Sequence, residues 1–288
     1  MINSHRRDVR WLVLCLMTGA VAVYGQSRDS SKELPPIQDN SFLIEEAYNQ
    51  EPGVIQHIST FSRMWNSRDW SYTFTQEWPG RANPLHQFSY TLVGLHAGAF
   101  TDSGVGVGDV LLNYRYQVAG NGDSRLAFAP RISVMLPTGD AVQGRGAGAF
   151  GMQTNLPMSL VLRKRLVSHW NAGATFVPHA QSSDHCRAST VGYNLGQSFV
   201  FLASPRLNFL LETSTTRFQS VAGWGKTGWY NATYISPGIR WAYNFQNGLQ
   251  IVPGLGIPIG IGSSAGEKGL ILYLSFEHPF RQLYPDVR

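Results

Sequence analysis

Arg125-Leu-Ala-Phe-Ala-Pro-Arg-Ile-Ser-Val-Met-Leu-Pro137 alternates residue by residue. Leu126, Phe128, Pro130, Ile132, Val134 and Leu136 share one face, and Arg125, Ala127, Ala129, Arg131, Ser133 and Met135 share the other. A period of two marks a strand, because successive side chains leave a pleated chain on opposite sides. Residues 270–280 repeat the pattern: Leu270, Leu272, Leu274, Phe276 and Phe280 oppose Tyr273, Ser275 and Glu277, with His278 as the polar exception. Residues 109–118, 206–214 and 230–243 follow suit, whereas 191–203 is apolar on both faces. Twelve such segments are predicted, at 54–64, 69–78, 85–96, 108–118, 124–137, 154–165, 168–179, 190–203, 206–216, 229–243, 248–259 and 268–280. All have ten or more residues. Strands of soluble proteins usually have about 5–6, whereas a tilted strand crossing a bilayer needs about 9–11.

The connections add a second signal. After the first hairpin, short links (79–84, 119–123, 166–167, 204–205, 244–247) alternate with long ones (97–107, 138–153, 180–189, 217–228, 260–267). Outer-membrane barrels pair short periplasmic turns with long outer loops. With both ends in the periplasm, Trp78, Tyr114, Tyr116, Trp170, Trp241, Tyr243 and Phe276 fall toward the periplasmic end of the apolar face. Trp70 and Trp229 fall toward the outer end. Two aromatic girdles result, at the levels where a bilayer meets water. The expected fold is all-β: a twelve-stranded antiparallel transmembrane β-barrel in a Gram-negative outer membrane.

Composition agrees. Only 14% of the 288 residues are charged, glycine numbers 30, aromatics reach 12% and there are two cysteines. Disorder, a collagen repeat and a disulfide scaffold are all excluded. The formal charge of +5 falls to +3 without the first 25 residues, too little and too scattered for a nucleic-acid partner. Residues 1–10 are basic and 11–23 are mostly apolar, which reads as a cleavable signal over 1–25 that removes Cys15. Cys186 is then the one remaining cysteine, open to cross-linking but not to an internal disulfide. Residues 26–53 read as a periplasmic linker carrying a short helix over 41–50, which covers the mouth. The barrel occupies 54–280, and 281–288 is a tail.

Several strings look chemical. Gly146-x-Gly148-x-x-Gly151 matches a dinucleotide fingerprint but precedes a strand, so no helix N-terminus faces a pyrophosphate. Gly262-x-Ser264-x-Gly266 spells a nucleophile elbow inside a glycine-rich loop. His179, Asp184, His185 and Cys186 crowd one outer loop without the cage a zinc site needs. No cofactor or metal is implied. His57-x-Ser59 is the pair an outer-membrane lipid hydrolase would use, the histidine activating the hydroxyl, and it defines one alternative function.

The lumen is the stronger candidate. Arg115, Arg131, Glu212, Arg240 and Glu277 fall on the inward faces of five strands, and Glu77 and Arg163 are placed beside them. They read either as a solute path, with Glu212 and Glu277 holding the arginines, or as a paired network that stiffens a plugged structural or adhesive barrel.

Three stretches carry a family resemblance: residues 41–58 (Ser41-Phe-Leu-Ile-Glu-Glu-Ala-Tyr-Asn-Gln-Glu-Pro-Gly-Val-Ile-Gln-His-Ile58), 108–116 (Gly108-Asp-Val-Leu-Leu-Asn-Tyr-Arg-Tyr116) and 136–140 (Leu136-Pro-Thr-Gly-Asp140). Over 41–280 the chain resembles outer-membrane proteins assigned to the meta-pathway of phenol degradation. The resemblance implies passage of small aromatic or apolar compounds and brings no catalytic residue. The expected partners are outer-membrane lipid, the barrel-assembly machinery acting on the last strand, and a small-molecule solute.

Overall fold

The computed structural model describes residue 37 and residues 39–96 and 105–280. The expected signal over 1–25 and the tail 281–288 lie outside the described residues. Twelve antiparallel strands follow one another around a closed wall. They are β1 (Val54–Met64), β2 (Trp70–Pro79), β3 (His86–His96), β4 (Gly106–Val107 and Val110–Tyr116), β5 (Leu126–Phe128 and Arg131–Leu136) and β6 (Gly151–Asn155 and Met158–Arg163). The second half holds β7 (Leu166–Gln181), β8 (Arg187–Ser204), β9 (Leu207–Gly223), β10 (Lys226–Trp241 and Tyr243–Asn244), β11 (Gln250–Gly256 and Ile259–Ile261) and β12 (Gly269–Pro279). Pro130, Pro157 and Pro258 sit in the gaps of β5, β6 and β11, where a missing N–H breaks the ladder locally. The wall closes where β1 pairs with β12, in register from Val54↔Pro279 to Met64↔Gly269. Closure removes the sheet edge, which is the condition for a β-structure to stand in lipid.

Burial is inverted relative to a soluble domain. Gln56, Glu77, Asn113, Ser133, Ser198, Glu212 and Ser236 are buried toward the lumen, while Phe88, Leu112, Ile132, Phe199, Leu211 and Leu272 are exposed on the outside. A polar interior and an apolar exterior are what lipid outside and water inside select. The girdle residues follow: Trp170, Tyr116 and Tyr243 are exposed, and Trp78, Tyr114, Trp241 and Phe276 are half-buried on the same outward face.

The wall is taller on one side than the sequence predicts. Half of 180–189 and most of 217–228, expected as long loops, are strand. β7 to β10 run 16 to 18 residues, and their outer connections shrink to 182–186 and 224–225. Since about 9–11 residues suffice to cross, these ends stand beyond the bilayer. There the inner face turns apolar and the outer face polar, as at Ala188 inside and Arg187 and Ser189 outside, so the apolar-out, polar-in pattern is lost although the ladder continues. Inside this taller end, Val177, Ala180, Ala188 and Val221 form an apolar cluster with Ala147 and Ala149 of the glycine-rich 138–150 loop. Asp109 ties that loop down: its carboxylate accepts N–H bonds from Gly139 (2.9 Å) and Ala147 (2.7 Å).

Candidate functional site

The predicted helix over 41–50 does not form. Residues 39–50 instead run as irregular chain inside the barrel, bent at 42–44 and 47 and buried almost throughout. The reason is a supply of wall side chains that satisfy the backbone. The N–H groups of Leu43, Glu45, Ala47 and Asn49 donate to Glu212 Oε1 (2.7 Å), Asn171 Oδ1 (2.8 Å), Ser159 Oγ (2.8 Å) and Gln117 Oε1 (2.9 Å). Glu46 N donates within the segment, to Asn40 Oδ1 (2.8 Å), so residues 40–46 curl back on themselves. Carbonyls are met as well. Asn171 Nδ2 donates to Glu45 O (2.6 Å), Gln117 Nε2 to Ala47 O (2.8 Å) and Arg115 Nη1 to Tyr48 O (2.8 Å). A ten-residue helix is marginal alone, and here the wall answers the backbone groups a helix would otherwise pair.

The segment enters and leaves at the periplasmic end. Ile37 O accepts from Asn208 near the start of β9, and Gln50 N donates to Gln87 near the start of β3. Between them it rises toward the middle of the lumen. Phe42 marks the rise, lying over Gly238, Gly254 and Gly256 of β10 and β11. A Cβ on any of the three would come within 2.5 to 2.8 Å of its ring. Its ring also sits 5.4 Å from that of Tyr273. Ile44 fills the place where Gly196 of β8 lacks a side chain.

The predicted lumen residues are brought together, but not as expected. Arg115 and Arg131 both pair with Glu45 of the segment, not with wall carboxylates. Arg240 donates to the carbonyls of Asp39 and Asn40. Glu212 holds the Leu43 N–H. Glu277 is buried in the lumen on β12, and among the described residues no ion pair joins it or Glu212 to an arginine. Sequence reasoning paired wall with wall because it left the segment outside. Glu77 does face the lumen and accepts from Gln87 Nε2 (2.8 Å), whereas Arg163 is exposed at the end of β6. The sequence reading missed Glu45, Phe42, Asn155 and Asn171. The signal that could have found them is the run of Asn, Gln and Ser on inward faces, which need partners that a barrel wall alone does not supply.

The other strings gain no chemistry. His57 and Ser59 face outward. His57 Nε2 lies 3.3 Å from His278 Nε2, and Ser59 Oγ lies 3.0 Å from Tyr72 OH, so the pair is not assembled as nucleophile and base. The 262–266 string forms a single 3-10 turn at Gly262–Ser264 rather than an elbow into a helix. Among the described residues no group of three or more His, Cys, Asp or Glu is placed to hold a metal.

No family model matches the chain, and no curated protein matches it. Solved structures do. An outer-membrane channel from Pseudomonas putida F1 superposes with a TM-score of 0.55 at 11% identity, covering 88% of this chain and 99% of that one. The NanC porin superposes with a TM-score of 0.51 at 10% identity, covering 76% of this chain and 98% of that one. The likeness lies in the fold: a closed barrel of the outer-membrane kind, whose lumen here is occupied by the chain's own N-terminal segment.

Proposed function

We propose that the chain gives a small solute gated passage across the outer membrane, with segment 39–50 as the gate. The observation that carries this reading is the manner of closure. The segment is held to a polar lumen by hydrogen bonds, ion pairs and glycine seats, none of them covalent beyond its junction with β1. About eight strands are just filled by side chains and about sixteen leave an open channel, so twelve fit a narrow path once the segment moves. Diffusion down a gradient then needs no further chemistry. The family resemblance of residues 41–280 supports aromatic or apolar compounds as the solute class.

Planar-bilayer recording of residues 26–288 and of a variant lacking 26–50 tests the gate. The expected result is brief openings for the first and a steady, larger conductance for the second. Equal conductance would reject the gate. Filling of the lumen also favours a second reading, a structural barrel acting through its outer loops. Silence from both proteins, each heat-modifiable on a gel, would select that reading.

A further inference from the structure

We propose that the two-arginine pocket now holding Glu45 is a carboxylate-binding site of the lumen, which a solute carboxylate occupies in place of Glu45. This rests on the reading that the chain passes a solute. Three side chains converge on one carboxylate. Arg115 Nη2 meets Oε1, Arg131 Nε lies 3.1 Å from both oxygens, and Asn155 Nδ2 lies 2.6 Å from Oε2. All are buried in the lumen.

The donors belong entirely to the wall. Arg115 pairs in register with Arg131 across β4 and β5, and Arg131 pairs with Asn155 across β5 and β6. They therefore stand side by side at one level, spaced by the distance between neighbouring strands, about 4.8 Å. Arg131 is further fixed from behind by the wall, whereas Arg115 Nη1 donates to Tyr48 O of the segment (2.8 Å). Arg131 Nη1 donates to Asn113 Oδ1 (3.1 Å) and Arg131 Nη2 to Gln153 Oε1 (3.3 Å). The donors thus stay on the wall when the carboxylate leaves, since it arrives on a segment that is not part of the wall.

Charge makes the exchange necessary. When the segment leaves, two neighbouring guanidinium groups lose the only carboxylate ion-paired to them among the described residues. Like charges side by side in a narrow lumen attract an anion, and a planar two-oxygen acceptor suits the converging N–H groups. A cleft lined on its wall side by Arg131, Gln153, Asn155, Asn171, Asn194 and Gly196 lies directly beside the pocket and gives the body of the ligand amide contacts and a flat space over Gly196. The ligand class is a small organic monocarboxylate with a flat body. Glu45 acts as its built-in competitor, so the solute itself weakens one anchor of the gate.

The test is calorimetric titration of detergent-folded 26–288 with benzoate, using benzamide as the uncharged control. Glu45→Ala and Glu45→Gln each remove the competitor, and heat-modifiability identifies the folded proteins. Benzoate is expected to bind either variant about tenfold more tightly than wild type, because apparent affinity scales with the fraction of empty sites. Arg131→Ala added to either variant should abolish the gain. Benzoate binding no tighter than in wild type, equal binding of benzamide, or a gain that survives Arg131→Ala would each overturn the proposal. Bilayer recording separates the two readings. Tight benzoate binding in barrels that never conduct keeps the site and rejects passage; conduction without benzoate binding does the reverse.

Discussion

Phe42 has a flat seat because β10 and β11 carry glycine at three adjoining inward positions, 238, 254 and 256. A side chain at any of them collides with the ring, so these glycines act through the space they leave. Gly254→Val should lift Phe42 and loosen the segment while the barrel stays folded. Expected readouts are faster proteolysis within residues 39–50 and a higher open fraction in bilayers, with heat-modifiability unchanged; an unaltered open fraction would count against the seat. Glu51 makes the second residue-scale prediction. Burial beside the Pro52–Gly53 turn, with Asp123 adding repulsion, pushes its carboxyl from the ordinary 4.5 up to about 7. A raised carboxyl favours the seated chain while it is neutral. That contribution is whole below about 4.5 and is lost as pH rises through about 7. Openings should therefore become more frequent between pH 5 and pH 8, and Glu51→Gln should flatten that part of the profile. A profile identical to wild type would remove Glu51 as its source.

Elements show where local preference yields to context. Segment 39–50 has helix-forming residues at its centre, yet it is irregular because Glu212, Asn171, Ser159 and Gln117 answer the N–H groups of Leu43, Glu45, Ala47 and Asn49. Nothing within residues 41–50 announces those partners, which lie 68 to 169 residues away. The strands are legible for the opposite reason. Lipid on one face and lumen on the other impose alternation locally, so residues 125–137 and 270–280 declare their faces without help. Legibility failed at the outer ends of β7 to β10, where lipid no longer marks the outer face and the inner face packs on the 138–150 loop. The 138–150 loop gives a prediction at this scale. Its described side-chain tether at Gly139 and Ala147 is Asp109, so Asp109→Ala should free it. Tryptic cleavage at Arg145 is expected to accelerate several-fold with the barrel intact, and unchanged cleavage would show that apolar contacts with Val177 and Val221 suffice.

At the scale of the whole molecule, a closed wall and an internal segment divide the work. The wall needs only its register, fixed around twelve strands and sealed between β1 and β12. The segment needs the finished wall, since its partners come from strands on every side. Wall formation should therefore survive changes to the segment. Glu45→Ala or loss of residues 26–50 is expected to leave heat-modifiable barrels, and detergent refolding that fails in both would show that the segment is part of the folding unit.

The sequence by itself determined the barrel, its strand count, the inward placement of Arg115, Arg131, Arg240, Glu212 and Glu277, and the outward placement of Trp78, Tyr114, Tyr116, Trp170, Trp241, Tyr243 and Phe276, because each follows from side-chain alternation and strand direction. Only the tertiary structure decided what those charges do. Glu45 meets Asn155 across 110 residues and Arg131 across 86. Such a pairing depends on which wall positions closure brings to one level, and on a segment whose conformation the lumen itself selects.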